Sequence, residues 1–307
     1  MSHSTSSTTP HITLLDSPEW RDYELLDSGN GLKLERFGPY RFVRPEVQAM
    51  WPPALPSARW QEAHAVFQPT SEESGGHWDF KKKVPEKWEM RYPLPGAAGE
   101  LRFAVMPTPG RHLGVFPECG AHWRWAAELI QQAARPVRVL NLFGYTGLAS
   151  LAAAAAGASV THVDASKKSV GWARENQALS GLAERPIRWI VDDALKFVQR
   201  EARRGSRYDG ILLDPPKFGR GPKGEVWEVY KSLPALLAAC REVLSPQPLF
   251  VVVTMYAVQA SAIHLGQALT EMMRGAAGTV DAGELVTRDT SGGRLLSHAV
   301  YARWSSL

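Results

Sequence analysis

Between residues 137 and 274 the chain alternates short, continuous apolar runs with helix-forming stretches, and the alternation is unbroken. The runs are 137–142, 159–163, 187–191, 208–213 and 249–254. The stretches that follow them are 147–156, 167–180, 194–203, 225–244 and 259–274. A strand wetted on one face alternates apolar with polar residues, whereas a strand apolar throughout is buried on both faces. A helix after every strand makes neighbouring strands parallel. The pattern predicts an α/β fold with a Rossmann-like, mostly parallel sheet and helices on both faces. Its ending differs, since 279–287 and 297–304 flank the turn Asp289-Thr290-Ser291-Gly292-Gly293 and must pair antiparallel as a C-terminal hairpin.

The first half reads differently. Short alternating runs at 31–37, 40–43, 88–92 and 101–105, punctuated by Gly and Pro, predict a small β-rich domain. Gly38-Pro39 suits a hairpin turn, and Pro45, Pro52, Pro53 and Pro56 bar a long helix. Residues 1–15 are Ser/Thr-rich and aperiodic and read as a disordered tail. The expected organisation is therefore a tail at 1–15, a β-rich N-terminal domain at 16–110 and an α/β domain at 111–307.

Composition narrows the class. No run reaches the roughly 20 apolar residues of a bilayer span, and the N-terminus lacks the basic and apolar regions of a secretion signal. The expected location is the cytoplasm, without a membrane partner. Two cysteines, Cys119 and Cys240, are too few for a disulfide framework or a four-thiolate zinc site. No two of the nine histidines stand at i, i+4, so no metal is expected. The net charge of +4 is modest, but residues 136–307 carry 20 Lys and Arg against 15 Asp and Glu, while residues 1–135 carry 15 against 16. Lys196, Arg200, Arg203, Arg204 and Arg207, followed by Lys217, Arg220 and Lys223, form either a solvated face or a phosphate-tracking surface.

In a doubly wound sheet, ligands bind beyond the carboxyl ends of the strands. After the first strand stands Asn141-Leu142-Phe143-Gly144-Tyr145-Thr146-Gly147, a glycine turn opening a helix. After the second come Asp164, Ala165 and Ser166, placing a carboxylate where ribose hydroxyls bind. After the third come Asp192, Asp193 and Ala194, suited to an adenine edge, and after the fourth Asp214-Pro215-Pro216-Lys217-Phe218. Any one of these is a common turn or helix cap; their order and spacing are not. A nicotinamide site would show G-x-G-x-x-G with a pyrophosphate cradle, and Phe143 and Tyr145 flank a single glycine instead. A cofactor with ribose and adenine but no phosphate fits, which points to S-adenosylmethionine. The two prolines make a rigid acceptor with carbonyls open to a planar amine, Phe218 can stack on a base and Lys217 can meet a phosphate.

These motifs, with Tyr230-Lys231 and the segment Gly114-Val115-Phe116-Pro117-Glu118, resemble the class I methyltransferases related to the bacterial large-subunit rRNA methyltransferases. The resemblance spans most of residues 111–307. It implies cofactor contacts from Phe116, Glu118, Asn141, Phe143, Gly144, Tyr145, Thr146, Gly147, Asp164, Ala165, Ser166, Asp193, Ala194 and Asp214. Catalytic roles fall to Asp214, Pro215, Lys217 and Phe218, and the implied partner is RNA, ribosomal above all. Cytosine-5 members of the family attack the ring with a cysteine. This chain reads Val253-Thr254-Met255-Tyr256-Ala257 after the fifth strand, where that cysteine usually lies, and Lys217 at the other customary position; Cys240 reads as core, and only Cys119 remains. Direct transfer to nitrogen or oxygen is therefore expected, with Asp214 orienting the acceptor or the methionine ammonium. Two alternatives stay open: a small-molecule or protein acceptor, and a non-catalytic RNA-binding module that keeps the cofactor fold.

Overall fold

The computed structural model describes residues 11–70, 75–96, 99–256 and 260–307. Proline and glycine spacing cuts the first third into short strands. These are β1 (Ile12–Leu15), β2 (Tyr23–Gly29), β3 (Leu32–Phe37), β4 (Tyr40–Pro45), β5 (Ala65–Pro69) and β6 (Gly76–Phe80), with one helix, α1 (Ser57–Gln61), after the prolines. Strands β2 to β6 form a five-stranded sheet in chain order, and Gly38-Pro39 turns β3 into β4 as expected. A separate antiparallel ribbon follows, β7 (Trp88–Pro93) with β8 (Glu100–Val105), and then α2 (Gly120–Gln132).

The apolar runs become β9 (Arg138–Leu142), β10 (Ser159–Asp164), β11 (Ile187–Val191) and β12 (Gly210–Leu213), connected by α3 (Leu148–Ala155), α4 (Lys167–Leu179) and α5 (Ala194–Arg203). A helix was expected from residue 225. Instead Gly221 and Gly224 turn a small hairpin, β13 (Phe218–Arg220) with β14 (Val226–Glu228), and α6 (Val229–Val243) starts only after it. The chain ends with β15 (Phe250–Tyr256), α7 (Ala262–Met272), β16 (Thr279–Arg288) and β17 (Leu295–Ser305).

Eight strands share one sheet in the order β1-β16-β17-β15-β12-β9-β10-β11. The five from β15 to β11 are parallel, and β17 runs against both β15 and β16, which is the predicted hairpin. Strand β12 is buried at every position and β15 at all but its last, as apolar runs covered on both faces require.

One expectation is corrected. Ile12 to Leu15, assigned above to the tail, pair in parallel with Ala282 to Leu285. The partner strand makes room for them: a Cβ on Gly283 would lie 1.7 Å from the carbonyl oxygen of Thr13. The rest of the expected tail, residues 1–10, lies outside the described residues.

The N-terminal sheet does not stand apart from the large one. A single apolar cluster holds Phe37, Phe42, Tyr92 and Phe103 together with Leu148, Leu151, Leu285 and Tyr301. The turn between β16 and β17 hydrogen-bonds β2 through Thr290 N to Leu25 O (2.9 Å) and Ser28 Oγ to Asp289 Oδ2 (2.8 Å).

Candidate active site

The chain leaves β9 for β10 and β11 on one side and returns to β12 on the other, so the sheet reverses direction of growth between β9 and β12. Such a switch point leaves a crevice outside the strand ends. A cleft of about 1030 Å³ opens there, lined by the strand-end loops on one side and by β3, β4 and the loop after β4 on the other. That is at the upper end of single-ligand sites, leaving space for an acceptor beside a cofactor.

The loop after β9 is shaped from beneath. Phe143 and Tyr145 hold positive φ angles of 57° and 49°, a conformation that side chains rarely adopt and that gathers at functional sites. Gly144 between them donates its N–H to Val163 O (3.1 Å). A Cβ on it would lie 2.3 Å from the ring of His162. That histidine is buried, which pushes its pKa down to about 3, and it meets Ser150 Oγ (3.0 Å), which accepts from Asn141 Nδ2 (2.8 Å). Asn141, Gly144 and Thr146 thus lie behind the loop, around a small pocket of about 50 Å³ that Asp214 also reaches. Gly147 lines neither space; it caps α3 with φ 88°.

Asp164 stands in the cleft with its Oδ2 accepting from the N–H of Tyr145 and its Oδ1 from that of Ser166, each at 2.8 Å. Burial raises its pKa, and those two amides hold the rise back. Each oxygen keeps a lone pair for a further donor, so the carboxylate fits a pair of ribose hydroxyls. Ala165 and Ser166 line the cleft beside it, as do Asp193 and Ala194. Asp193 caps α5 through Lys196 N (2.9 Å), and Asp192 is ion-paired with Arg200.

Asp214 is half-buried, its Oδ1 is shut off from solvent with no hydrogen-bond partner among the described residues, and burial with the nearby Glu118 raises its pKa to about 8. Glu118 is itself buried and raised. The buried Glu118 and the orphaned oxygen of Asp214 form a place for a cation or an N–H donor. Phe116, Phe143, Tyr145 and Tyr256 give this end of the cleft aromatic walls. The Cys119 thiol meets Tyr256 Oη at 2.8 Å, and burial followed by Asp214 and Glu118 pushes its pKa up, so it is not a ready nucleophile.

The segment after β12 departs from expectation at two points. Pro215 and Lys217 line the cleft, but the carbonyl of Pro216, expected open for a substrate amine, accepts Trp227 Nε1–H at 2.7 Å. Phe218 does not line the cleft. It stands 54% exposed on β13, because the β13–β14 pairing turns Gly219 and Trp227 inward instead.

Among the cleft residues that carried no signal in the sequence are Lys33, Arg44, His112 and His298. Arg44 makes a two-pronged bond to Glu35, Nε to Oε2 and Nη2 to Oε1, both 2.7 Å; Glu35 also accepts from Tyr23 Oη (3.0 Å). Burial alone would raise the Glu35 carboxyl, but Arg44 and Lys33 hold it at about 2. Burial lowers His112 to about 3 and His298 well below the usual range, leaving both neutral. Among the described residues, no three His, Cys, Asp or Glu side chains cluster as a metal site.

A reversed parallel sheet whose switch-point cleft holds a carboxylate open to further donors and an acidic end, without phosphate-cradling glycines, is the frame of an α/β enzyme that binds an adenosyl cofactor. The chain belongs to the S-adenosylmethionine-dependent methyltransferases: the family's model matches residues 86–247. A methyltransferase structure from Agrobacterium tumefaciens is 51% identical, covers 97% of this chain and 95% of its own, and superposes with a TM-score of 0.90. A methyltransferase complexed with S-adenosylhomocysteine shares the fold at 21% identity over 94% of this chain and 76% of its own, with a TM-score of 0.70. The ribosomal RNA large subunit methyltransferase K/L of Shewanella sp. (strain ANA-3) is 33% identical over 63% of this chain. The match covers 26% of that protein, so the chain spans about a quarter of the length of the curated relatives it matches. No helix among the described residues is long and apolar enough to cross a membrane.

Proposed function

We propose that this methyltransferase modifies a base in RNA, ribosomal RNA above all, by direct transfer of the methyl group. The cofactor supplies a methyl already activated on a sulfonium. What remains for the protein is to hold an acceptor lone pair in line and keep water away. Asp164 binds the ribose, Asp193 and Ala194 meet the adenine edge, and Phe116, Tyr145 and Tyr256 wall the reacting end. Asp214 orients either the methionine ammonium or the acceptor amine with its orphaned oxygen. The observation that carries direct transfer is that oxygen, buried and unpartnered at the cleft while the only nearby thiol is held protonated.

The RNA reading is supported by the names of the relatives and by Lys217 and Arg220 at the cleft. On this reading residues 16–110 cover the acceptor side of the cleft. The test is transfer of a labelled methyl group to undermodified total RNA from a strain lacking the protein, followed by nucleoside analysis. A labelled nucleoside supports the reading. Confirmed cofactor binding with no transfer to RNA rejects it in favour of a small-molecule or protein acceptor.

A further inference from the structure

We propose that the β13–β14 hairpin is a stacking platform for single-stranded RNA beside the methylated nucleotide. The inference rests on the RNA reading above and gives the strand its path. Register pairs Phe218 with Glu228 and Arg220 with Val226, so these side chains share one face of the ribbon. The opposite face carries Gly219 and Trp227. Trp227 is buried, bonded to the Pro216 carbonyl and packed on Phe143 at 4.8 Å between ring centroids. The hairpin is thus fastened to the cofactor loop by its inner face and holds its outer face out to solvent.

Two apolar side chains on that outer face stand in water, Phe218 54% exposed and Val226 56%, and Tyr230, in the first turn of α6, is 56% exposed. An aromatic held rigidly in water beside cations is the combination that stacks on bases without reading their identity.

Charge selects the occupant. Residues 217–231 carry Lys217, Arg220, Lys223 and Lys231 against two acids. Both acids are answered, Glu225 by Lys196 (2.8 Å) and Glu228 by Lys231 (2.6 Å). Arg220 and Lys223 make no ion pair among the described residues, so positive charge is left over beside the exposed rings. Arg220 also lines the cleft, which puts the platform at its mouth. Duplex RNA hides its base faces and would leave the rings unused.

The test measures binding of a labelled single-stranded oligouridine of about ten nucleotides, and of a duplex of the same length, to the full chain across salt concentrations. The double substitution Phe218→Ala, Val226→Ala is expected to weaken single-strand binding roughly ten- to a hundredfold. Phe218→Trp should restore it when Val226 is kept. Lys223→Ala should lower the salt dependence of log K by about one. Single-strand binding unchanged by the double substitution overturns the platform, as does equal loss on the duplex. Methyl transfer to RNA, measured on the same wild-type protein, separates the two ideas. Transfer with an insensitive hairpin removes only the platform; neither transfer nor oligouridine binding by the wild type removes both.

Discussion

The two walls of the cleft present different charged groups and hold them in place by different means. The wall at the strand ends presents Asp164, Asp193 and Asp214. Asp164 and Asp193 are fixed by backbone N–H groups within a few residues or one turn of the sheet. The facing wall presents Lys33 and Arg44, fixed by the side chains of Glu46 and Glu35. A carboxylate set by backbone amides takes its position from the strand and turn that carry it. A cation set by the carboxylate of a neighbouring strand takes its position only once those strands are paired. The difference predicts that damage to the first wall falls on cofactor and turnover, and damage to the second on stability.

The hardest strain on that comparison comes from Arg44→Ala, which leaves Glu35 buried without its partner. About 3–5 kcal/mol of unfolding free energy should be lost, read by chemical denaturation. An unchanged midpoint would show that the second wall is not held by this pair. Next, Asp214→Ala should reduce turnover by about 10²–10³ while changing cofactor affinity far less, provided the orphaned oxygen orients the acceptor. Equal losses in the two would assign it to the methionine ammonium. Asp164→Ala should cost two hydrogen bonds to the ribose, worth about 1.5–3 kcal/mol together, and weaken cofactor binding roughly ten- to a hundredfold by calorimetry. Unaltered affinity would remove Asp164 from the ribose site.

A smaller effect follows from protonation. The Asp214 carboxyl, raised by burial and by Glu118 to about 8, binds its proton in the folded protein over a range where the unfolded chain has released it. Stability from this group therefore falls as pH rises from the ordinary carboxyl range towards 8, and Glu118 acts in the same direction. Asp214→Asn should raise the melting temperature of the cofactor-free protein more at about pH 9 than at about pH 6. A gain that does not vary with pH would contradict the buried, protonated state. The smallest effect is expected from Cys119→Ala, which under direct transfer should keep turnover within about tenfold of wild type, whereas removal of a covalent nucleophile would abolish it.

The same contrast governs what could be read in advance. The parallel sheet was legible because burial on both faces writes continuous apolar runs, and every helix between β9 and β12 was placed within a residue or two. Asp164 and Asp193 were legible because strand ends locate them. Strand β1 was not, since the Gly283 backbone that receives it lies at the other end of the chain. The β13–β14 hairpin hid inside a stretch read as helix, where Gly221 and Gly224 were the available clue. Lys33, Arg44, His112 and His298 had no local signature, because ion pairs between neighbouring strands and burial give them their character. Phe218 was assigned by motif to the acceptor pocket, and strand register turned it outward.

The pairing of β1 with β16 also sets an order of events during synthesis. Ile12 meets Ala282, and Leu25 receives the amide of Thr290, so residues 12–25 find partners made more than 250 residues later. The N-terminal sheet can pair its own strands and meet Leu148 and Leu151 early, but its contacts with Leu285 and Tyr301 must wait for the C-terminal hairpin. Contacts this far apart in sequence close slowly. A chain cut short before β16 would therefore keep most of the residues that line the cleft, but would lose Ser297, His298 and the strand that receives Ile12–Leu15.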